Sequence, residues 1–241
     1  MPRIHFFEFG DLHWFPSFIR NYMTDFLQFL SNKTKMYKPV IPILIKGLEL
    51  TKTNQIIDLA SGGGGGWIWL HSELQKEIPD LKITLTDYFP NASAFEYTKK
   101  QLKNLEYRLD SVDARNVPKE LIGLRTQFLS LHHFKPKDAS LILQNAVDSN
   151  NAIAIFEAQE RSFASIIAML FSPISVLLTT PFIRPFKFGR ILFTYLIPIV
   201  PIIVMFDGIV SSLRTYSVQE MTDLVQNLEN SDHFNWDIGK V

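Results

Sequence analysis

The stretch that decides the fold is QIIDLASGGGGGWIWL, residues 55–70, in which five consecutive glycines separate an apolar run containing Asp58 from another that begins at Trp67. Glycines allow close backbone approach to a ligand and positive φ angles. A flexible linker would be flanked by polar sequence, whereas this run lies between a predicted strand and a predicted helix. The pattern therefore predicts the first βα turn of an open parallel sheet, where such sheets bind ligands.

Short apolar runs alternate with helix-length amphipathic segments after the glycines, which indicates βαβ units. The fold class that follows is α/β, with a doubly wound, mostly parallel sheet covered on both faces. Upstream, the apolar spacing over 17–31 and 37–50 predicts an N-terminal helical cap. The predicted strands are 55–60, 82–87, 107–114, 125–134, 152–159 and 233–241. The predicted helices within the sheet domain are 67–77, 91–103, 137–149 and 217–225, the last opened by a Ser217/Glu220 capping box.

Composition supports one globular domain and excludes several function classes. The chain has 241 residues, 46% of them hydrophobic and 20% charged, which is enough to bury a core. Twenty-four Lys and Arg balance 24 Asp and Glu, so we expect no nucleic acid partner. The absence of cysteine excludes disulfides, thiolate zinc sites and a cysteine nucleophile. No secretory signal is evident in the first residues, which predicts a cytoplasmic protein.

The residues around the glycines discriminate between cofactors. A P-loop requires Lys and Ser/Thr after the last glycine, where this chain has Trp67. The dinucleotide fingerprint fits only if Ala60 replaces its first glycine, with Gly62 and Gly65 following. Asp58 would face a pyrophosphate unfavourably but would attract a cationic ligand. S-adenosylmethionine (SAM) carries a sulfonium and an ammonium group and no phosphate.

From about residue 55 to 159 the chain resembles the class I, Rossmann-like SAM-dependent methyltransferases. The segment DLASGGG is similar to that family's D-x-G-x-G-x-G loop, with Ala60 in place of the first glycine. The resemblance implies that Asp58 and the loop hold the methionine end and that Asp87, after the second strand, binds the ribose hydroxyls. It further implies that Tyr88 or Phe89 packs on the adenine. The implied cofactor site comprises Asp58, Ala60, Ser61, Gly62, Gly63, Gly64, Asp87, Tyr88, Phe89, Asp113 and Ala114.

Each implied contact has a structural alternative. Asp87 could be an ordinary turn residue, and Asp113, implied with Ala114 to meet the adenine amino edge, could cap the turn towards Pro118. Phe89 could be a core aromatic. The family closes its sheet with a further antiparallel strand, for which we expect no residues here.

His132 and His133 end the fourth predicted strand, where this fold places residues nearest the transferred methyl group. A histidine suits proton transfer near neutral pH, and we take the pair as candidate catalytic residues. The alternative is that one of them caps the next helix or bonds to backbone. The remaining histidines show no ligand spacing, so no metal site is expected.

The N-terminal segment FEFGDLHWFPSFIR, residues 7–20, mixes charges with large aromatics. We expect Glu8, Asp11, Trp14 and Arg20 to belong to a lid over cofactor and substrate. The alternative is a hydrophobic staple with surface charges.

An apolar insert follows the fifth strand, with no charge over 163–183 or 191–206. The first stretch reaches the ~20 residues of a membrane helix. A spanning hairpin is disfavoured because its turn would carry three cations across, and prolines interrupt both stretches. Those cations are Arg184, Lys187 and Arg190. A buried insert, an apolar pocket or lid, and a monotopic membrane patch remain, and we expect the pocket or lid before the patch.

The two leading interpretations of the insert differ in what they predict. A pocket requires its apolar side chains to line a cavity near His133 and the glycines. A monotopic patch requires Phe182, Phe186 and Phe188 to be exposed beside the three cations, with salt-sensitive membrane binding. The expected parts of the chain are a cap (1–50), a SAM-binding core (55–160), the insert or lid (161–207) and a C-terminal helix and strand (208–241).

The sequence therefore predicts a cytoplasmic SAM-dependent methyltransferase acting on a small apolar or lipid-like molecule, with peripheral membrane contact through 163–206 as an alternative. A nicotinamide-dependent reductase is the main competing function, disfavoured by Asp58 and by the lack of a Y-x-x-x-K pair. A non-catalytic SAM-binding or membrane-associated protein is the other.

Overall fold

A computed structural model describes residues 1–241 and contains one five-stranded, all-parallel sheet. The strand order is β3-β2-β1-β4-β5, and β1 pairs with β2 on one side and with β4 on the other. The predicted doubly wound α/β class is confirmed. The strands are β1 (Gln55–Leu59), β2 (Lys82–Leu85), β3 (Leu105–Tyr107), β4 (Leu124–Phe128) and β5 (Ile153–Phe156).

Ten α-helices surround the sheet and extend beyond it. Successive residues of β1 point to opposite faces, as a strand requires. Ile56 packs in a cluster with α2, α3 and α4, whereas Ile57 packs in a cluster with α5. The helices are α1 (Ser17–Thr34), α2 (Ile41–Thr51), α3 (Trp67–Leu74), α4 (Ala92–Gln101), α5 (Pro136–Asp148), α6 (Phe163–Leu170), α7 (Ser172–Thr179), α8 (Phe188–Ile191), α9 (Ile199–Arg214) and α10 (Val218–Gln226).

The glycine turn joins β1 to α3 at the carboxyl edge of the sheet. The strand order reverses at β1: β2 and β3 follow on one side of it, and β4 and β5 on the other. Open α/β sheets bind ligands in the crevice at that position. The topology thus places the glycines where a ligand is expected.

The apolar insert packs against the N-terminal cap rather than against the sheet. Phe15 and Ile19 share a buried cluster with Val176 of α7, Ile183 and Val200 of α9. By length and composition, one helical segment, Phe163–Phe182, could cross a membrane, and a pair bent by 78°, Phe188–Leu196 with Ile199–Arg214, passes the same test when taken together.

Several details of the predicted fold are wrong. β4 ends at Phe128, so His132 and His133 lie in a short 3-10 helix, Leu131–His133, after the strand rather than at its end. The strand expected over 233–241 is absent, because Phe234, Trp236 and Ile238 pack onto α5 and α10 instead of pairing with β5. β3 ends at Tyr107, where the strand expected over 107–114 was to begin, so only that residue is shared. The boundary expected at 207 falls inside α9. The capping box of α10, Ser217 with Glu220, is confirmed.

Candidate active site

One cavity of about 800 Å³ lies at the carboxyl edge of the sheet and reaches from the glycine turn to the two histidines. Its volume falls within the range of small-molecule sites. Every residue of the predicted cofactor and catalytic sites lines it except Gly64. A Cβ at Gly64 would point instead at Thr98 and Gln28, behind the turn. The lining predicted residues are Asp58, Ala60, Ser61, Gly62, Gly63, Asp87, Tyr88, Phe89, Asp113, Ala114, His132 and His133.

Side chains of α1 hold the glycine turn in place. The Gln28 amide donates to the Gly63 carbonyl (2.5 Å) and to the Thr98 hydroxyl (2.7 Å). The Asn32 amide donates to the Gly65 carbonyl (2.8 Å), and its oxygen accepts from the Trp69 amide (2.8 Å), which caps α3. These contacts explain how five glycines form a defined loop. Sequence reasoning missed both residues, because no local pattern links α1 to the turn.

The turn requires left-handed backbone at several positions. Gly62 has φ +56, and Ala60, which stands where the resembled family has glycine, has φ +54. A left-handed alanine costs roughly 1–2 kcal/mol. Gly63 has an ordinary φ, but a Cβ there would lie 2.7 Å from the Thr24 carbonyl oxygen of α1. No side chain larger than that of glycine fits at position 63, because α1 packs directly against it.

Asp58 is a buried carboxylate without a cation. It is 2% exposed, and its Oδ1 accepts a hydrogen bond from the Thr126 hydroxyl (2.7 Å). Burial raises the pKa of Asp58 to about 6, although hydrogen bonds oppose the shift, and the neighbouring charge of Asp87 raises it further. A positively charged ligand would supply the missing partner.

Asp87 is tied to the backbone that surrounds it. Its Oδ2 accepts from the Gly62 amide (2.6 Å) and its Oδ1 from the Phe89 amide (2.7 Å). Burial raises the pKa of this carboxyl despite those two bonds. The carboxylate forms no salt bridge, and each oxygen keeps a lone pair for a hydroxyl donor.

Aromatic rings border the cavity beside Asp87. His13 contacts the rings of Tyr88 and Phe89 edge-on, with centroids 6.0 and 5.5 Å apart. The Arg20 guanidinium lies over the Phe89 ring at 4.2 Å. Tyr88 is 45% exposed. The Phe89 ring is thus covered by Arg20 and contacted by His13. The more exposed Tyr88 ring is therefore the better candidate to stack on a flat ligand.

Asp113 and Ala114 lie at the same cavity wall. Asp113 accepts from the Arg115 guanidinium (2.7 Å) and amide (2.9 Å), and Arg115 also pairs with Asp138 (3.0 Å). Ala114 is buried. Asp113 therefore closes a turn as the structural alternative predicted, and it does so at the edge of the cavity.

His132 forms a dyad with Glu157, just after β5. Its Nδ1 lies 2.9 Å from Glu157 Oε2, and its backbone amide donates to the other oxygen of the same carboxylate (3.1 Å). Such a carboxylate fixes the tautomer with the proton on Nδ1, which leaves Nε2 as an acceptor. Sequence reasoning did not connect Glu157 with the histidines.

His133 is held by two acids from the N-terminal segment. Its Nδ1 lies 2.7 Å from Asp11 Oδ1 and 3.4 Å from Glu8 Oε2. Burial alone would lower the pKa of His133, but the charges of Glu8 and Asp11 raise it to about 9. The imidazole is accordingly a cation at neutral pH and cannot accept a proton, which corrects its expected role as a base.

Arg214 of α9 completes this charged group. Its guanidinium is 1% exposed and pairs with Glu8 (2.9 Å) and Asp11 (2.7 Å). It also donates to the carbonyl oxygens of His132 (3.1 Å) and His133 (2.6 Å). Glu8 is buried, so the alternative that this segment carries surface charges does not hold for it. Trp14 of the same segment is 72% exposed.

The fold also brings Glu8, His132 and His133 together in a way that no spacing predicted. One ligand atom from each lies within 4.8 Å of the others, the geometry of a three-residue metal site. However, Glu8 Oε1 already pairs with Arg214, and His133 pairs with Asp11. Arg214 thus neutralises the one carboxylate of this set, and Asp11 already occupies Nδ1 of His133.

Polar groups without protein partners face the same cavity. The Ser130 and Ser172 hydroxyls are buried and form no hydrogen bond. Burial raises the pKa of Asp207, also in the lining, to about 7, although the Phe9 and Gly10 amides donate to it. Buried unpaired groups of this kind are typical of a site that awaits a ligand.

No protein-family model and no curated protein matches this chain. The case for a function therefore depends on the geometry of the cavity.

Proposed function

We propose that the protein is a SAM-dependent methyltransferase acting on a small apolar or lipid-like molecule. The observation that carries the proposal is a pair of carboxylates beside the glycine turn, the buried Asp58 and the partly buried Asp87. Neither forms a salt bridge, and burial raises the pKa of both. A ligand with a cationic end and two neighbouring hydroxyls satisfies both acids.

The donor set fits SAM residue by residue. Asp58 and the turn from Ala60 to Gly63 would hold the cationic methionine end, and Asp87 the ribose hydroxyls through charge-assisted hydrogen bonds. Tyr88 offers the exposed ring for the adenine, with Asp113 and Ala114 at its edge. When bound, SAM supplies an activated methyl group.

Part of the glycine turn is already bonded within the protein, and its surroundings are acidic. A dinucleotide needs free backbone amides at the turn and at the start of the next helix. Here the Gly62 amide donates to Asp87, the Gly64 amide to the Ser61 carbonyl (2.8 Å), and the Trp69 amide to Asn32. Two carboxylates nearby would also repel the phosphates. These observations favour SAM over a nicotinamide dinucleotide.

The chain's own contribution to transfer lies at the histidines. An acceptor that carries a proton can release it to Nε2 of His132, the ring nitrogen that does not bond to Glu157. The cationic His133 can instead orient an anionic or polar head group. Positioning of the acceptor in line with the methyl group can supply a large part of the rate enhancement in such displacements.

Isothermal titration calorimetry of the purified chain tests the proposal. SAM and S-adenosylhomocysteine should each bind to a single site, whereas NADH should give no binding heat. Binding of NADH without SAM would establish the reductase and overturn the proposal, as would the absence of binding by all three. Transfer of label from methyl-labelled SAM to an organic-soluble extract then identifies the acceptor class.

A further inference from the structure

The outer surface of the insert is an apolar helical face exposed to solvent. Its large side chains recur every three or four residues along α6 and α7, so they form one stripe. Phe163 is 76% exposed and Leu178 is 68% exposed. The exposed stripe consists of Phe163, Ile167, Leu170, Phe171, Ile174, Leu177 and Leu178.

The opposite side of the same helices faces the protein, where Val176 of α7 is buried in the apolar cluster shared with the N-terminal cap. Ala168, Met169, Ser172 and Ser175 line the cavity. A helix on the surface of a soluble protein has its apolar face inward and its polar face outward. In α6 and α7, by contrast, most of the large apolar side chains face outward. The expectation that the large apolar side chains of the insert line the cavity is therefore wrong for this stripe.

The exposed face continues onto the segment that follows. Phe182, Phe186 and Phe188 are 66%, 60% and 74% exposed, and Leu196 is 75% exposed. α6 and α7 both pack along α9, whose Ile202 is also exposed, so these side chains extend one surface. We name this surface, comprising the stripe and these five residues, the insert face. An apolar patch of this extent marks an interaction site.

The charges around the insert face exclude some occupants. No Asp or Glu occurs over 163–206. Of its three cations, Arg190 is buried against Asp25 (2.6 Å) and Lys187 pairs with the same carboxylate (2.8 Å). Arg184 alone is exposed. The expectation of three cations beside the phenylalanines is thus wrong, because α1 neutralises two of them.

Length and attachment favour a bilayer and an in-plane orientation. Phe163–Phe182 has the length and composition of a membrane helix, and 11% of it is buried. Its inner stripe is nevertheless part of the cavity wall, and the Ser165 and Ser212 hydroxyls lie 3.2 Å apart, which joins it to α9. Because its inner side is fixed to the protein, lipid can cover only the outer side of this helix, which favours an orientation in the plane of the interface.

We infer that the insert face docks onto the surface of a lipid bilayer, with α6 and α7 in the plane of the interface. The docking itself depends on surface features alone. Its consequence for the substrate rests on the proposed function: the acceptor is a membrane-resident amphiphile, because the cavity lies directly behind the docked helices. With one exposed cation, binding is driven by apolar burial and differs little between neutral and anionic lipids.

Vesicle flotation tests the docking. The full chain should float with phosphatidylcholine vesicles, and added phosphatidylglycerol or high salt should change the bound fraction by less than about threefold. The double variant Phe171→Glu/Leu178→Glu, with both changes on the stripe, should lose binding by roughly tenfold or more. The matched variant Leu50→Glu/Ile122→Glu carries the same charge change at residues 73% and 65% exposed elsewhere, and it should float like the parent.

Parallel measurements separate docking from function. Both variants should keep the parent's affinity for SAM and its thermal unfolding temperature, so a loss of flotation with intact SAM binding is specific to the face. A parent chain that fails to float would overturn the inference, as would self-association through this face that the stripe variant abolishes. Retention in membranes after alkaline carbonate extraction would also overturn it in favour of a spanning insert.

Discussion

The two ends of the cavity are both rich in acids, but they differ in whether those acids have cationic partners. At the glycine end, the buried Asp58 and the partly buried Asp87 have hydroxyl and amide donors only. At the histidine end, Glu8 and Asp11 face Arg214 and a protonated His133. His133 and Arg214 hold the pKa of Asp11 well below its usual range, against the effect of burial.

This difference separates a site prepared for a cationic ligand from a cluster that stabilises the fold. A buried carboxylate without a counter-ion costs stability until a cation binds, whereas a paired one is compensated within the protein. We therefore expect charge removal at the glycine end to weaken ligand binding, and charge removal at the histidine end to weaken folding.

Loss of the compensating cation should have the largest effect. Arg214→Met leaves the buried Glu8 and the partly buried Asp11 with a single cation, and it should lower the free energy of unfolding by about 3–5 kcal/mol. Arg108→Met, which removes an exposed cation from ion pairs with Asp110 and Glu120, is the control and should cost at most about 1 kcal/mol. Urea unfolding measures both. Equal losses would mean that the histidine end is not held by its charge balance.

The next largest effect concerns Asp87 and SAM. Asp87→Asn keeps one acceptor oxygen for the backbone amides but loses the charge, so SAM binding should weaken by about 1.5–3 kcal/mol. Asp148→Asn removes an exposed acid at the end of α5 and should leave the affinity unchanged. Calorimetry compares the two variants, and an unaltered affinity in Asp87→Asn contradicts the ribose assignment.

Much of this arrangement could be predicted from the sequence, because the relevant signals are local. Apolar runs and the five glycines indicated the sheet, the turn and the acids that follow β1 and β2. The predicted sixth strand was wrong because apolar side chains that alternate along the chain, as Phe234, Trp236 and Ile238 do, can pack on helices without their backbone pairing in a sheet. Gln28, Asn32, Glu157 and Arg214 were missed because each acts on residues that only the tertiary fold brings near.

Asp58 offers a test in which stability and affinity change in opposite directions. The pKa of about 6 in the folded chain exceeds the ordinary value of 3.8, so folding favours the protonated acid, and stability is lost as pH rises through that interval. At neutral pH, Asp58→Asn should therefore raise the free energy of unfolding by about 1–3 kcal/mol. The gain should shrink as pH falls towards 4. A destabilised variant at neutral pH would contradict the view that this charge is uncompensated.

The smallest predicted effect concerns the strained residue of the turn. Ala60→Gly removes a left-handed alanine and should stabilise the protein by about 1 kcal/mol or less, since the added glycine freedom in the unfolded chain offsets part of the gain. SAM affinity should stay within about twofold of the parent, as the backbone path is unchanged. Thermal unfolding measures the stability and calorimetry the SAM affinity. A loss of stability would show that packing of the alanine methyl group outweighs its backbone strain.

The most direct test of the account is the number of protons released when SAM binds. Near pH 6, Asp58 is about half protonated in the free protein, and a bound cation should lower its pKa and release about half a proton. Calorimetric titrations in buffers with different ionisation enthalpies measure this number. The account predicts release by the parent chain and a much smaller release by Asp58→Asn. SAM binding that releases no proton, or the same number from both proteins, would contradict it.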